Sequence, residues 1–268
     1  MSREHTVQKS INVLVYAFLI TATVLSFSGN NSLADIFNTF ETYFDPAPWV
    51  FYVWTVTYFL LGGFVIYQWF DQAHESAIHG VGWHFVLSAI LNTLWLSLLE
   101  GEHKILSFFV SVFQIFSVSF VFYKLEAEYH ANNWWDRLFL HAPFSLWHGW
   151  TVFITAVTAF VAFTGVNKAD DGTILPPNVL HIVLFYIGLG FLSFTAIGYV
   201  EYKGQKGDLT SAWVIAFGMW AVFVEQPFPT THWGALAAAI ITTLWPAKPY
   251  IWRALGRSTS SETAPLLG

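Results

Sequence analysis

Apolar positions along the chain gather into eight runs, near 10–28, 49–70, 78–100, 104–124, 139–165, 179–200, 209–226 and 232–250, separated by short polar breaks. At 1.5 Å rise per residue, roughly 20 apolar residues cross a hydrocarbon core of about 30 Å, so each run is long enough, or nearly so, to form a spanning helix. The breaks carry the charges, as in "DQAHES", "GEH", "EAEYHANNWWDR" and "EYKGQKGD", and none has room for a soluble domain. The pattern predicts an all-α integral membrane protein. It is a bundle of about eight transmembrane helices forming a single domain over residues 1–250, with a disordered tail over 251–268.

The basic residues give this segmentation a direction. With a cytoplasmic N-terminus, Arg3, Lys9, Lys124, Arg137, Lys203, Lys206, Lys248, Arg253 and Arg257 fall on the inner side, and only Lys104 and Lys168 fall outside. Cytoplasmic loops accumulate Lys and Arg, so both termini are expected in the cytoplasm. Residues 1–28 also fit a secretory signal, with Arg3 and Lys9 ahead of an apolar stretch that stops near Ser26, Ser28 and Gly29; removal would leave seven spans. The run from Ile11 to Phe27 exceeds the usual signal core, which favours a retained span. Asn30-Asn31-Ser32 forms a glycosylation sequon in the first outer loop, close to the membrane. No internal repeat relates the first four spans to the last four, so an inverted-repeat transporter gains no support.

Composition agrees with the pattern: 55% of residues are hydrophobic, 19% aromatic and 10% charged, and mean hydropathy is +0.52. With no cysteine, the chain has no disulfide, thiolate metal site or Cys nucleophile. The net charge is −6 and no basic cluster interleaves with aromatics, which excludes nucleic acid as a partner.

The aromatics are the residues most able to carry function. In "DPAPWVFYVWTVTYFLL", Phe51, Trp54, Tyr58, Leu61 and Val65 recur at three- and four-residue steps and share one helix face. Pro46 and Pro48 precede the first turn, where a missing N–H costs least. Trp49 and Tyr52 read as interfacial anchors. Trp54 and Tyr58 lie deeper and need polar partners there, which makes them pocket candidates. In the third span Asn92 and Trp95 share a face, and a buried Asn must hydrogen-bond to another helix or to a ligand; the helix-joining role is the commoner. In the fifth, "HAPFSLWHGW" sets Pro143, Trp147 and Trp150 at helical spacing around His148 and Gly149.

These three stretches together resemble the TspO/tryptophan-rich sensory protein (translocator protein, peripheral benzodiazepine receptor-related) family, in its long tryptophan-rich branch. The resemblance is carried by Pro46-x-Pro48-Trp49-Val50-Phe51-x-x-Trp54-Thr55-x-x-Tyr58, Leu91-Asn92-x-x-Trp95 and Pro143-Phe144-Ser145-Leu146-Trp147-x-Gly149-Trp150, with a weaker match from Trp213 to Gln226. It implies a helical bundle whose inter-helix aromatic pocket, here Trp54, Tyr58, Asn92, Trp95, Pro143, Trp147 and Trp150, binds a tetrapyrrole, a sterol or a related flat lipid, with no cofactor required. Three spans follow the fifth, a departure from the compact five-helix members.

Other groups yield weaker readings. His74, His79 and His84 step by five, which spreads them around a helix and disfavours a metal site. His148 and His181 are of the type that ligates haem iron, but hydrogen-bonded histidines inside a polar bundle are commoner. Glu100 and Glu225 close the third and seventh spans; at a span end they reach water, and drawn inward either would serve a proton-coupled small-molecule carrier. No mid-membrane Lys for a retinal Schiff base is found in the last two spans, and no hydrolase, Walker or nucleotide fingerprint appears. A non-enzymatic binding protein, sensor or transporter is therefore the leading reading, and an intramembrane cyclase or isomerase using Glu100 or Glu225 as acid is an alternative. In the tail, Glu262, Leu266 and Leu267 resemble an acidic dileucine sorting signal, which points to a vacuolar, endosomal or lysosomal membrane. The expected partners are the bilayer, a small apolar ligand, a second copy of the chain in a homodimer and a clathrin adaptor.

Overall fold

Eight helices of sixteen residues or more occupy the eight predicted positions in the computed structural model, which describes residues 3–28, 39–205 and 208–254. They are α1 (Arg3–Ser28), α2 (Tyr52–Tyr67), α3 (His84–Glu100), α4 (Lys104–Glu128), α5 (Ala142–Phe163), α6 (Val179–Gln205), α7 (Leu209–Glu225) and α8 (Pro229–Ala254). Among the described residues there is no strand, only an isolated bridge between Lys168 and Ile174. Five helical stretches are long and apolar enough to cross a membrane, and a sixth is counted if the bent pair Asp71–Val81 and His84–Glu100 is one span. The sequon at Asn30 and the tail signal of Glu262, Leu266 and Leu267 lie outside the described residues.

Several predicted boundaries move, each for a local reason. The helix expected over 78–100 starts only at His84, because a π-turn over Ser76–Val81 and Gly82 at φ 57°, ψ −147° bend the chain by 62° ahead of it. That backbone conformation is open to glycine and nearly closed to other residues. The first helix begins at Arg3, upstream of the apolar run, and carries Lys9 fully buried within it instead of in a flanking loop. Before α5 a second π-turn, Arg137–His141, precedes Pro143, so the proline opens a helix and does not interrupt one.

The described chain divides into two compact units. The first, Met1–Phe40 with Tyr52–Ala162, contains α1 to α5. Here α3 and α4 form the closest-packed pair. Serines line their contact: Ser88 and Ser117 share a 2.8 Å hydroxyl bond, and Ser107 donates to the Trp95 carbonyl at 3.2 Å. Small polar side chains allow such close approach inside a bilayer. Amides clasp α1 to the end of α2, with Asn12 donating to Gln68 at 2.9 Å. Gly62 and Gly63 admit two rings against α2, since a Cβ there would lie 2.5 Å from Tyr16 Oη and 2.1 Å from Phe139.

The second unit, Glu41–Phe51 with Phe163–Gly268, contains α6 to α8. Buried alanines at 212, 216, 221, 235, 238 and 239 let α7 and α8 pack closely. The segment 41–51, although it lies between α1 and α2 in sequence, is tied to this unit. The Ala47 N–H donates to the Ala221 carbonyl at 3.0 Å, and Tyr43 donates to the Leu175 carbonyl at 2.8 Å. Trp49, expected at the headgroup level, has its ring 4.8 Å from Phe217 of α7, while Tyr52 is 72% exposed, as an interfacial anchor would be.

Candidate functional site

The predicted stripe is buried: Trp54, Tyr58, Leu61 and Val65 of α2 are all inside, as is Phe51 in the short turn that precedes it. Within the five-helix unit it meets the aromatic faces of α3 and α5. The Trp54 ring centroid lies 5.7 Å from Trp95 and 5.2 Å from Trp150, the latter nearly edge-to-face at 73°. Phe153 extends this group from Trp150 at 5.5 Å. Toward the other end, Phe64, Phe85, Phe144 and Trp147 form a second group, with Phe64 5.3 Å from Phe85 and 5.1 Å from Phe144, and Phe85 6.1 Å from Trp147. Such separations suit the ring quadrupole, whose positive edge meets a neighbouring negative face. Trp95, Trp147 and Trp150 are at most 1% exposed. All the rings proposed from sequence are therefore buried: Trp54 packs on Trp95 and Trp150, Trp147 on Phe85 and Phe144, and Tyr58 accepts from Asn92. Pro143 is buried at the second position of α5 and starts the helix that carries two of them.

Polar atoms within this core are unequally satisfied. Asn92 donates to the Tyr58 oxygen at 3.0 Å and accepts from Gln114 of α4 at 2.9 Å, so one amide joins α2, α3 and α4. Trp95 Nε1 donates to Thr158 at 3.2 Å, bonding α3 to α5. By contrast, the buried Trp147 Nε1 and Thr155 Oγ1 have no hydrogen-bond partner among the described residues. An unpaired buried donor in a low-dielectric interior is costly, and a ligand able to accept from it recovers that cost.

Of the remaining candidates, His148 places Nε2 2.7 Å from the Ser119 hydroxyl and stacks on Phe122. In the three-helix unit His181 packs its ring 4.8 Å from Tyr43. Among the described residues no group of three or more His, Asp or Glu is placed to hold a metal ion. His74 and His79 do meet a common neighbour, His5 of α1: His5 Nδ1 lies 3.1 Å from His74 Nε2, Lys9 Nζ lies 3.0 Å from His74 Nδ1, and the His5 and His79 rings are 5.8 Å apart. The five-residue step does not scatter these two histidines, because the chain between them leaves the α-helix for a π-turn. His5 lies in the polar start of α1, upstream of the apolar run, and no spacing signal tied it to them.

Glu100 and Glu225 end α3 and α7, as predicted. Glu225 is exposed. In the same unit and outside the helices, Asp45 accepts from the Thr42 N–H at 2.8 Å and the Thr42 hydroxyl at 2.6 Å. Burial pushes its carboxyl up to about 7, against those two bonds and with help from the charges of Glu225 and Glu41. Glu100 has Oε1 buried with no hydrogen-bond partner and lines a groove of about 500 Å³ between α1 and α3.

A model of the family described as TSPO-like protein matches residues 9–246. No curated protein and no solved structure matches the chain. The family match and the apolar helices describe a multi-pass membrane protein, and the family carries a membrane-embedded ligand-binding or transport function. The match extends over most of the sequence, and the chain belongs to the TSPO-like family.

Proposed function

We propose that the protein binds, senses or moves a flat apolar ligand, a tetrapyrrole or a sterol, through the ring cluster of α2, α3 and α5. In this reading all eight helices span the bilayer and both termini face the cytoplasm. The observation that carries it is Trp147 Nε1, buried with no hydrogen-bond partner among the described residues, on α5 three residues before Trp150, whose ring packs on Trp54. Flat ligands with an apolar body and a polar edge fit between such rings, taking their faces from the indoles and their edge contact from the free N–H. The bonds that occupy Asn92 and Trp95 make these two residues supports that fix the spacing of the helices. Entry of a ligand requires the rings to part, and Trp147 is the natural one to move, since its indole N–H gives up no bond.

The test is a titration of purified protein with protoporphyrin, read by tryptophan quenching. Saturable quenching is expected, weakened about tenfold or more in Trp54→Ala and in Trp147→Ala, equivalent to about 1.4 kcal/mol or more. Wild-type affinity in both variants would remove the site from these residues.

The groove beside Glu100 favours a second reading, a proton-coupled carrier in which Glu100 is the coupling group. Uptake into vesicles would then require a pH gradient and be lost in Glu100→Gln. Glu225, which is exposed, has no comparable support.

A further inference from the structure

The α1–α3 groove is lined by residues other than those of the ring cluster and has chemistry of its own. Phe18, Thr21 and Leu25 of α1 face Thr93, Leu96 and Glu100 of α3 across about 500 Å³, a volume in the range of small-molecule sites. Its polar side chains are Thr21, Ser26, Thr93, Ser97 and Glu100. Thr21 donates its hydroxyl hydrogen to the Ala17 carbonyl at 2.8 Å, and Thr93 donates to the Ala89 carbonyl at 3.1 Å. Both hydrogens are committed to their own helices, so the two oxygens have only acceptor capacity left for the groove.

Glu100 adds two acceptors, and one of them, Oε1, is buried with no partner among the described residues. As the last residue of α3, Glu100 sits at the negative end of the helix dipole, which disfavours a second negative charge there. No ion pair of Glu100 is found among the described residues. The next basic side chain along the chain, Lys104, holds its ammonium 3.6 Å from the centre of the Phe40 ring. A buried carboxyl oxygen of this kind is relieved by a cation that donates a hydrogen bond, and the apolar walls select what is attached to the cation.

We infer that this groove binds an amphiphilic amine, with the protonated nitrogen on Glu100 and its apolar body against Phe18, Leu25 and Leu96. The occupant differs in charge and shape from a flat tetrapyrrole or sterol, and the inference stands independently of the ring-cluster reading.

The test uses full-length protein in phosphatidylcholine nanodiscs and tritiated imipramine, a tertiary amine on a tricyclic body, with binding to protein-free discs subtracted. Saturable binding to a single site is expected. Glu100→Gln, which keeps the side-chain shape, and Thr21→Phe, which fills the groove, should each weaken it at least tenfold. Iminodibenzyl, the same tricycle without its amine chain, should fail to compete. Protoporphyrin quenching should be unchanged in Glu100→Gln, so failure at one site is read separately from failure at the other. Absence of saturable binding, wild-type affinity in Glu100→Gln, or full competition by iminodibenzyl would each overturn the assignment.

Discussion

The two units solve helix packing in opposite ways. In the five-helix unit, α2, α3 and α5 meet through large rings, with Trp95, Trp147 and Trp150 buried at the centre, and the Asn92 amide joins α2, α3 and α4. In the three-helix unit, α7 and α8 close on alanines, and the tryptophans sit toward the periphery: Trp213 is 45% and Trp233 64% exposed, Trp220 donates to Thr243 and Trp245 to Glu201, both at 2.9 Å. Packing on small residues brings backbones together and leaves nothing to displace. Packing on rings holds helices apart by the width of a side chain that can turn, and so it can exchange ring–ring contacts for ring–ligand contacts. In the proposed reading the five-helix unit takes up the flat guest and the three-helix unit serves as scaffold.

Three substitutions or conditions sharpen that contrast. The largest effect is expected for Trp150→Ala, which removes a ring contacting Trp54 and Phe153 and should cost about 3–5 kcal/mol. Hydrogen exchange should show the loosening concentrated in α2, α3 and α5, while α7 and α8 keep their protection. Loss of protection spread evenly over both units would contradict the separation. Next, Gln114→Leu leaves the buried Asn92 oxygen without its donor and should cost about 1–3 kcal/mol in thermal unfolding. An unchanged midpoint would mean that Asn92 finds another partner.

The third effect belongs to the three-helix unit and is a pH dependence. With its folded value raised to about 7 from an unfolded value near 3.9, Asp45 keeps a proton in the folded state that the unfolded chain releases. Stability from this group is therefore full below about pH 4, declines as pH rises toward 7, and levels off above it. Asp45→Asn should flatten the decline in thermal unfolding midpoints measured from pH 4 to 8, and a persistent slope would place its origin elsewhere.

Much of this arrangement was legible because it is periodic. Phe51, Trp54, Tyr58, Leu61 and Val65 repeat at the helical step, and all five are buried. Asn92 with Trp95, and Trp147 with Trp150, could be put on neighbouring positions for the same reason. What periodicity does not encode is the partner. Gln114, the lone amide in the apolar run of α4, donates to Asn92, and nothing in the spacing pointed to that pairing. The bend before α3 was hidden because hydropathy runs smoothly through Gly82, whereas its positive φ changes the geometry. The groove at Glu100 was unreadable for a related reason: a cavity is a property of two helices at a distance, and each helix alone presents only an ordinary apolar face.

The comparison between units is tested most directly by ¹⁹F spectra of protein carrying 5-fluorotryptophan, with resonances assigned by single Trp→Phe variants and recorded as protoporphyrin is added. The account predicts that the signals of Trp54, Trp95, Trp147 and Trp150 shift saturably, Trp147 the most, while those of Trp220 and Trp245 stay in place. Shifts confined to Trp220 and Trp245, with the four ring-cluster signals unmoved, would contradict it.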